Sequence, residues 1–179
     1  MKSKRPKSLA RRNAEVEYFS IGGTKSRISP IGLWSYADKY RRSAALLPIV
    51  NSRPDIVKLF LICHSIELSL KAFLSAQGKF LIELASSEFG HDLESVLSAA
   101  KAEGILRIAE LTPEQLSEIE TANHYYLGKA FEYPALKESS RGFSGAPNFE
   151  TLNSAASTLS ASLHDHCLSA SNAVDEGSS

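Results

Sequence analysis

The sequence predicts an all-α fold, an antiparallel bundle of four to five helices that follows an irregular N-terminal arm. Apolar residues recur at helical spacing in several segments, as they do on one face of a helix with 3.6 residues per turn. Glycines and prolines stand where they suit helix ends, as at Gly78 and Pro113. The longest strongly apolar run, residues 55–77, has the length and residue types of a helix rather than a strand.

Residues 55–77 (DIVKLFLICHSIELSLKAFLSAQ) are the predicted central helix. A helix that is apolar nearly all round belongs in the middle of a bundle. Pro54 suits its first turn, with Ser52 or Arg53 as the cap before it. Gly78 is expected to end the helix, because glycine readily adopts the left-handed conformation that follows a last turn.

The other elements are placed by caps, breakers and apolar stripes, and Thr112, Pro113 and Gln115 form a predicted capping box. Residues 34–172 are expected to form the helical domain, and His91 or Asp92 is the expected cap of one of its helices. In chain order we predict a basic disordered tail (1–14), an extended arm that is either a hairpin or packed over the domain (15–33), and a helix ended by Pro48 (34–47). A short helix (79–87) follows the central helix, and the next helix is opened by Gly90-His91-Asp92-Leu93 and ended by Gly104. The remaining elements are a helix from Thr112 to about Ala130, a loop (136–148), a helix from Phe149 to about Ala173, and a tail (173–179).

Composition excludes few functions. The 43% apolar and 22% charged residues are ordinary for a globular protein, and 20 basic residues balance 20 acidic ones. Six of the basic residues precede the first acid, so the N-terminal tail is either a solvated terminus or an arm that touches phosphates. Its candidate nucleic-acid contacts are Lys4, Arg5, Arg11 and Arg12.

Targeting signals are not evident in the sequence. The N-terminal 16 residues have no apolar signal-peptide core, and no apolar run approaches the roughly 20 residues that span a membrane. A soluble, cytoplasmic protein without membrane contact is therefore expected. Cys63 and Cys167 lie far apart within apolar helical patterns, so both are expected to be buried and reduced.

Three ionisable residues share one face of the central helix. At about 100° per residue, His64, Glu67 and Lys71 fall within a wedge of roughly 60°. Asn123 lies in the middle of another helix's apolar face, so it is also expected to point inward and, with His91, to meet this wedge. The cluster is either a hydrogen-bonded network that fixes helix register or a ligand-binding or catalytic site.

A metal site is a third interpretation of the same residues. His64 and Glu67 put two ligand types on one face, and His91 could add a third. The ammonium group of Lys71 opposes a cation, so we predict neither metal nor cofactor. His164 and His166 point about 200° apart on a helix and do not share an ion. The sequence contains neither a phosphate-cradling glycine loop nor a nucleophile elbow.

Three segments together resemble the HEPN family, the higher-eukaryote and prokaryote nucleotide-binding domains. They are His64-Ser65-Ile66-Glu67-Leu68-Ser69-Leu70-Lys71, Gly90-His91-Asp92-Leu93, and Asn123-x-x-Tyr126 closing on Glu132-Tyr133-Pro134. Their order and spacing carry the resemblance, which covers residues 34–170. It implies a helical bundle that forms a homodimer, acts on nucleotides or RNA in toxin–antitoxin or defence systems, and in some members partners a nucleotidyltransferase.

The resemblance lacks the motif of the family's metal-independent ribonucleases, an arginine followed four to six residues later by a histidine. Such a pair would handle protons and phosphate charge during cleavage. Glu132 stands where relatives often carry arginine, which removes a cation from the implied pocket. We therefore expect no catalytic residue and no recognisable enzyme activity.

The resulting prediction is a non-catalytic HEPN-like domain that binds a nucleotide, nucleic acid or protein partner. In the pocket, Lys71 is expected to supply charge, Asn123 and His91 hydrogen bonds, and Tyr126 a stacking face. The full set of candidate residues is His64, Glu67, Lys71, His91, Asn123 and Tyr126. The rivals are a divergent metal-independent ribonuclease with His91 or His124 as general base, and a pure protein-interaction module.

Overall fold

The computed structural model describes residues 18–21, 24–48, 55–79, 84, 90–132 and 145–176, and most of these residues are helical. Its helices are α1 (Pro30–Leu46), α2 (Ile56–Ala76), α3 (Leu93–Ala102), α4 (Pro113–Leu127) and α5 (Phe149–Glu176). Two short strands, β1 (Tyr18–Ile21) and β2 (Thr24–Arg27), pair antiparallel, and Ile105–Arg107 form a 3₁₀ turn. The predicted all-α bundle is confirmed.

Helix α2 lies at the centre of the bundle and contacts each of the other four helices. Each large apolar side chain that it buries stabilises the fold by roughly 1.5–3 kcal/mol. Ser65 of α2 donates a hydrogen bond to the carbonyl of Ala37 at 2.8 Å. These two residues lie equally far from the connection between the helices, so α1 and α2 are antiparallel. The fully buried side chains of α2 include Leu59, Ile62, Ile66, Leu70, Phe73 and Leu74.

Helix α5 also packs antiparallel to α1. The amide of Ile31 donates to the hydroxyl of Ser171 at 3.1 Å, and Trp34 Nε1 donates to the carbonyl of Ser160 at 2.8 Å. The contact on α5 thus moves toward its N-terminus as α1 advances. Helices α3 and α4 also pack against α2, and the turn that precedes α3 contacts it at Glu67 and Lys71.

The two ends of α2 show one difference from prediction and one agreement. Asp55 is the N-cap, because its carboxylate accepts from the amides of Val57 and Lys58. The predicted cap positions 52–53 lie outside the described residues, and the cap they were expected to supply falls at Asp55 instead. Gly78 ends the helix as predicted, with a φ of +89° that a side chain would strain.

Two predicted boundaries are wrong. Helix α1 begins at Pro30 rather than at residue 34, since Ser29 caps it and accepts from the amide of Gly32 at 3.2 Å. Residues 30–33 fall in the predicted extended arm (15–33), although a proline such as Pro30 suits the first turn of a helix. Helix α5 runs through Glu176, so the predicted tail over 173–179 begins too early.

The remaining predicted elements divide by where they fall. The caps at Asp92 and Thr112 are confirmed, the second with both hydrogen bonds of the capping box. Within the predicted arm, residues 18–21 and 24–27 form the paired strands. The tail over 1–14, most of the short helix over 79–87 and most of the loop over 136–148 lie outside the described residues. No helix in the described part of the chain is long and apolar enough to cross a bilayer.

Candidate functional site

A polar cluster, called the Glu67 cluster here, lies where α2, α4 and the turn before α3 meet. It consists of His64, Glu67 and Lys71 from α2, His91 from the turn and Tyr126 from α4. Only 3% of the Glu67 side chain is exposed, and this carboxylate is the common partner of the other four. The wedge predicted on α2 therefore exists and faces inward.

The two oxygens of Glu67 have separate partners. Oε1 accepts from Lys71 Nζ at 2.6 Å. Oε2 accepts from the hydroxyl of Tyr126 at 2.6 Å and lies 3.1 Å from His91 Nδ1 and 3.5 Å from His64 Nδ1. The carboxylate is thus satisfied on both sides, as a buried charge must be if it is to remain ionised.

The hydrogen bonds assign the protons of both histidines. Because the hydroxyl of Tyr126 donates to Glu67, it accepts from His64 Nδ1, 2.8 Å away. Because an ionised carboxylate only accepts, His91 Nδ1 donates to Glu67. Both rings therefore carry a proton on Nδ1, and in the neutral rings Nε2 is left as an acceptor. Of the two side chains, 44% of His91 and 20% of His64 are exposed.

Electrostatics keep Glu67 charged. Burial by itself raises the pKa of this carboxyl, but the polar contact with His64, the charge of Lys71 and the hydrogen bonds from Lys71 and Tyr126 outweigh it. Together they lower the pKa of Glu67 from 4.5 to about 2. Burial and the charge of Glu67 raise the pKa of Tyr126, so its hydroxyl stays protonated and donates.

Lys71 is paired rather than free. Its ammonium group donates to Glu67 and, at 2.7 Å, to the carbonyl of Gly90, and 10% of its side chain is exposed. The charge that was expected to meet a ligand is therefore opposed by Glu67 at 2.6 Å. Lys71 instead fastens the turn that carries His91 onto α2.

Asn123 fixes the same turn from the other side. Its Oδ1 accepts from the amide of Leu93 at 2.8 Å, and its Nδ2 donates to Asp92 at 3.0 Å. Asn123 is buried as predicted, with 5% exposed, but its hydrogen bonds go to the start of α3 and not to the Glu67 cluster. It therefore positions His91 indirectly.

We expect Asn123→Ala to lower the free energy of unfolding by about 1–3 kcal/mol, because it leaves the buried amide of Leu93 without an acceptor. Urea denaturation measures the loss, and amide exchange at Leu93 should rise. Asn153→Ala is the matched control, since Asn153 Oδ1 is buried with no hydrogen-bond partner among the described residues. Equal losses in the two variants would contradict a specific role for Asn123.

Aromatic rings line the histidine side of the cluster. The ring of Phe60 stacks on His64 with centroids 5.8 Å apart, and Tyr40 of α1 meets His64 edge-on at 4.6 Å. Tyr126 is only 2% exposed, so its ring does not offer the stacking face that was predicted. Tyr40 was missed as a site residue, although its place one turn after the buried Ala37 signals that it faces α2.

The other candidate residues lie elsewhere. His124 is exposed, and its ring packs edge-on against Tyr125. His164 contacts Trp34, whereas His166 contacts Phe73, in keeping with the prediction that they point apart. Cys63 and Cys167 are free and buried, as predicted. The basic residues Lys4, Arg5, Arg11 and Arg12 lie outside the described residues.

The exposed nitrogens, rather than the carboxylate, are the groups that could meet a ligand. A neutral imidazole anchored through Nδ1 accepts a hydrogen bond or a proton at Nε2, and a protonated one donates there to an anion. One nitrogen of His64, one of His91 and an oxygen of Glu67 also lie within 4.8 Å of one another, the arrangement of a metal-ligand set. Comparisons with protein-family models, curated proteins and solved structures found no match to this chain.

Proposed function

We propose that the chain is a HEPN-like domain that binds a nucleotide or single-stranded RNA at the Glu67 cluster without cleaving it, in a toxin–antitoxin or defence setting. The observation that carries the proposal is the pair of histidines, His64 and His91, whose Nδ1 atoms are both engaged by the buried Glu67–Tyr126 pair. The motif segments that carry the resemblance supply all of these residues. Three segments that are far apart in the sequence meet at one cluster in the fold, and this meeting supports the proposal because no single segment forms the cluster.

The chemistry of such a site suits a ribonucleotide. A protonated His91 would donate from Nε2 to a phosphate oxygen. A neutral His91 would accept from a ribose hydroxyl or a base amino group. The rings of Phe60 and Tyr40 stand beside His64, where a base could stack.

Binding without cleavage is favoured because Lys71, the cation of the cluster, is paired with Glu67. Phosphoryl-transfer transition states need positive charge placed where negative charge develops. In the described residues, Arg41 and Arg42 form ion pairs with Asp38, and Lys71 pairs with Glu67. The site therefore offers imidazoles without a free guanidinium beside them.

A second candidate, a metal-independent ribonuclease, is favoured by one contact. The Glu67–His91 pair, with 3.1 Å between Oε2 and Nδ1, orients the imidazole as a carboxylate orients a general base. His91 is then the base, and Nε2 would take the proton of a ribose 2′-hydroxyl. His124, the other candidate base, lies outside the cluster and has no carboxylate partner in the hydrogen bonds of the described residues.

We expect the wild-type protein to bind short single-stranded RNA or a nucleotide in the presence of chelator. His91→Ala should weaken this binding roughly tenfold or more, because it removes a hydrogen bond to a charged group. Fluorescence anisotropy measures the affinity. His124→Ala, a change of an exposed histidine outside the cluster, is the control and should bind as wild type does.

Gel analysis of the same RNA samples separates the rivals. Intact RNA with wild-type protein supports a binding domain, whereas cleavage by wild type but not by His91→Ala selects the ribonuclease. Equal binding by His91→Ala and wild type would place the ligand elsewhere. Failure to bind any nucleotide or RNA would contradict the proposal and support the protein-interaction module.

The proposal extends to assembly. A HEPN-like bundle is expected to form a homodimer and, in some settings, to join a nucleotidyltransferase. The support for both is the motif resemblance, and sedimentation of the purified chain together with co-purification of the neighbouring gene's product would test them.

A further inference from the structure

We infer that His64, Glu67 and His91 form a mononuclear site for a zinc-like divalent ion, with three protein ligands and an open fourth position. Each side chain offers one ligand atom, and the three atoms lie within 4.8 Å of one another. Two imidazole nitrogens and one carboxylate oxygen are a recurrent ligand set of zinc sites that keep one position open. This inference goes beyond nucleotide binding and does not depend on it.

The separations between ligand atoms suit a tetrahedral ion. Metal–ligand bonds of about 2.0–2.2 Å place the ligand atoms of a tetrahedron roughly 3.3 Å apart. Glu67 Oε2 lies 3.1 Å from His91 Nδ1 and 3.5 Å from His64 Nδ1. The remaining separation, between the two histidine nitrogens, lies within 4.8 Å. An ion bound between the three atoms would replace the hydrogen bond from His91 to Glu67 and the one from His64 Nδ1 to Tyr126.

The protons on Nδ1 of His64 and His91 can move to the other ring nitrogen. Each neutral imidazole frees the lone pair on Nδ1 when its proton moves through solvent to Nε2, so no net proton is gained or lost. His91 lies on a turn and is 44% exposed, which gives an ion an entry path and lets the ring adjust. Lys71 and Asn123 hold that turn against α2 and α4, and so preserve the spacing.

Lys71 does not occupy the metal position. Its ammonium group lies on Oε1 of Glu67, whereas both histidines approach Oε2. The ion would bind Oε2 in monodentate fashion while Lys71 keeps its bonds to Oε1 and to Gly90. The sequence alone cannot separate the two carboxylate oxygens, which is why Lys71 argued against a metal there.

Zinc is the ion that this ligand set favours among common divalent ions. Nitrogen donors disfavour magnesium and calcium, which prefer oxygen ligands. Copper and nickel also bind imidazole, but they favour square-planar or tetragonal arrangements. The hydroxyl of Tyr126, 2.6 Å from Oε2, would go on donating to that ligand oxygen and so orient the carboxylate.

The test is a zinc titration of the full chain after dialysis against chelator, with a chromophoric zinc indicator as competitor. One equivalent of zinc should bind wild type, and His91→Ala and Glu67→Gln should each weaken binding roughly 100-fold or more, since loss even of an outer-shell partner costs 10–100-fold. Cobalt added to wild type should give the visible absorption of a tetrahedral site, and His91→Ala should abolish it.

His164→Ala is the matched control, because His164 and Asp165 form an exposed histidine–carboxylate pair 2.7 Å apart that could hold adventitious zinc. It should leave the affinity of the strong site unchanged. The inference is overturned if wild type binds no equivalent, if His91→Ala binds as tightly, or if His164→Ala removes the binding. His91 lies on the surface, so this variant remains informative if Glu67→Gln does not fold. The titration contains no nucleotide, so its failure leaves nucleotide binding in chelator untouched.

Discussion

Glu67→Leu is expected to lower the free energy of unfolding by about 3–5 kcal/mol, because it leaves the Lys71 ammonium buried without its counter-ion. The hydroxyl of Tyr126 and Nδ1 of His91 lose an acceptor at the same time. Urea denaturation followed by circular dichroism measures the loss. It is a large fraction of the stability of a typical domain.

The double variant Glu67→Leu, Lys71→Met shows where this loss comes from. Replacing both members of a buried ion pair by apolar side chains of similar size is often close to neutral. We therefore expect the double variant to recover the part of the stability that the unpaired charge costs. The hydrogen bond from Lys71 to the Gly90 carbonyl and the acceptor of Tyr126 and His91 stay lost. If the double variant is as unstable as Glu67→Leu, the unpaired charge is not the cause.

The exposed pair Lys101–Glu120 provides the matched control. Its atoms lie 3.7 Å apart, with 34% and 52% of the two side chains exposed. Glu120→Leu should change the free energy of unfolding by no more than about 1 kcal/mol, since water solvates the remaining charge. The contrast between the two pairs isolates burial as the source of the effect.

Helical periodicity was enough to predict three of the five residues of the Glu67 cluster. A spacing of three and four residues places His64, Glu67 and Lys71 on one face whatever the surrounding fold is. The inward position of Asn123 follows from the same rule applied to α4. These predictions succeed because they depend on geometry within one helix.

Contacts between helices were less accessible. The helix start at Gly90-His91-Asp92 brought His91 to attention, and the resemblance brought Tyr126. Neither periodicity nor motif indicates which oxygen of Glu67 each one meets. The turn that carries His91 is placed by two long-range hydrogen bonds, from Lys71 to Gly90 and from the amide of Leu93 to Asn123. Such bonds depend on packing between helices, which sequence spacing does not encode.

The start of α1 and the role of Tyr40 were not predicted, for different reasons. The predicted extended arm includes Pro30 and Gly32, yet the hydroxyl of Ser29 accepts from the amide of Gly32 and caps the start of α1 there. A serine directly before a proline is itself a helix-start signal, so this boundary could have been predicted. Tyr40 was overlooked because its contact is with His64 across the α1–α2 packing, not within α1.

Acid should selectively weaken the fold through Glu67. Its pKa is about 2 in the folded protein, below the ordinary value of 4.5, because His64, Lys71 and Tyr126 reverse the effect of burial. The unfolded chain therefore binds this proton at a higher pH than the folded chain does. The resulting stabilisation is fully present above pH 4.5 and is lost as pH falls toward about 2. With about 1.4 kcal/mol per pKa unit, the loss is on the order of 3 kcal/mol.

Urea midpoints measured between neutral pH and about pH 2 test this expectation. The pKa values of Asp38 and Asp92 are also lowered, so both carboxyls add to the loss of stability in acid. Burial alone would raise these pKa values, but hydrogen bonds to both carboxyls outweigh it. At Asp38 the charges of Arg41 and Arg42 lower the pKa further. The Glu67→Leu, Lys71→Met variant retains both aspartates and lacks the Glu67 carboxyl, so its profile should be flatter than that of wild type by the contribution of Glu67. Parallel profiles would show that Glu67 is not held ionised by its neighbours. A steeper dependence of the urea midpoint on pH in wild type would instead show that protonating Glu67 removes the shared partner of both histidines and of Lys71. The contacts that join α2 to α4 and to the turn before α3 then weaken.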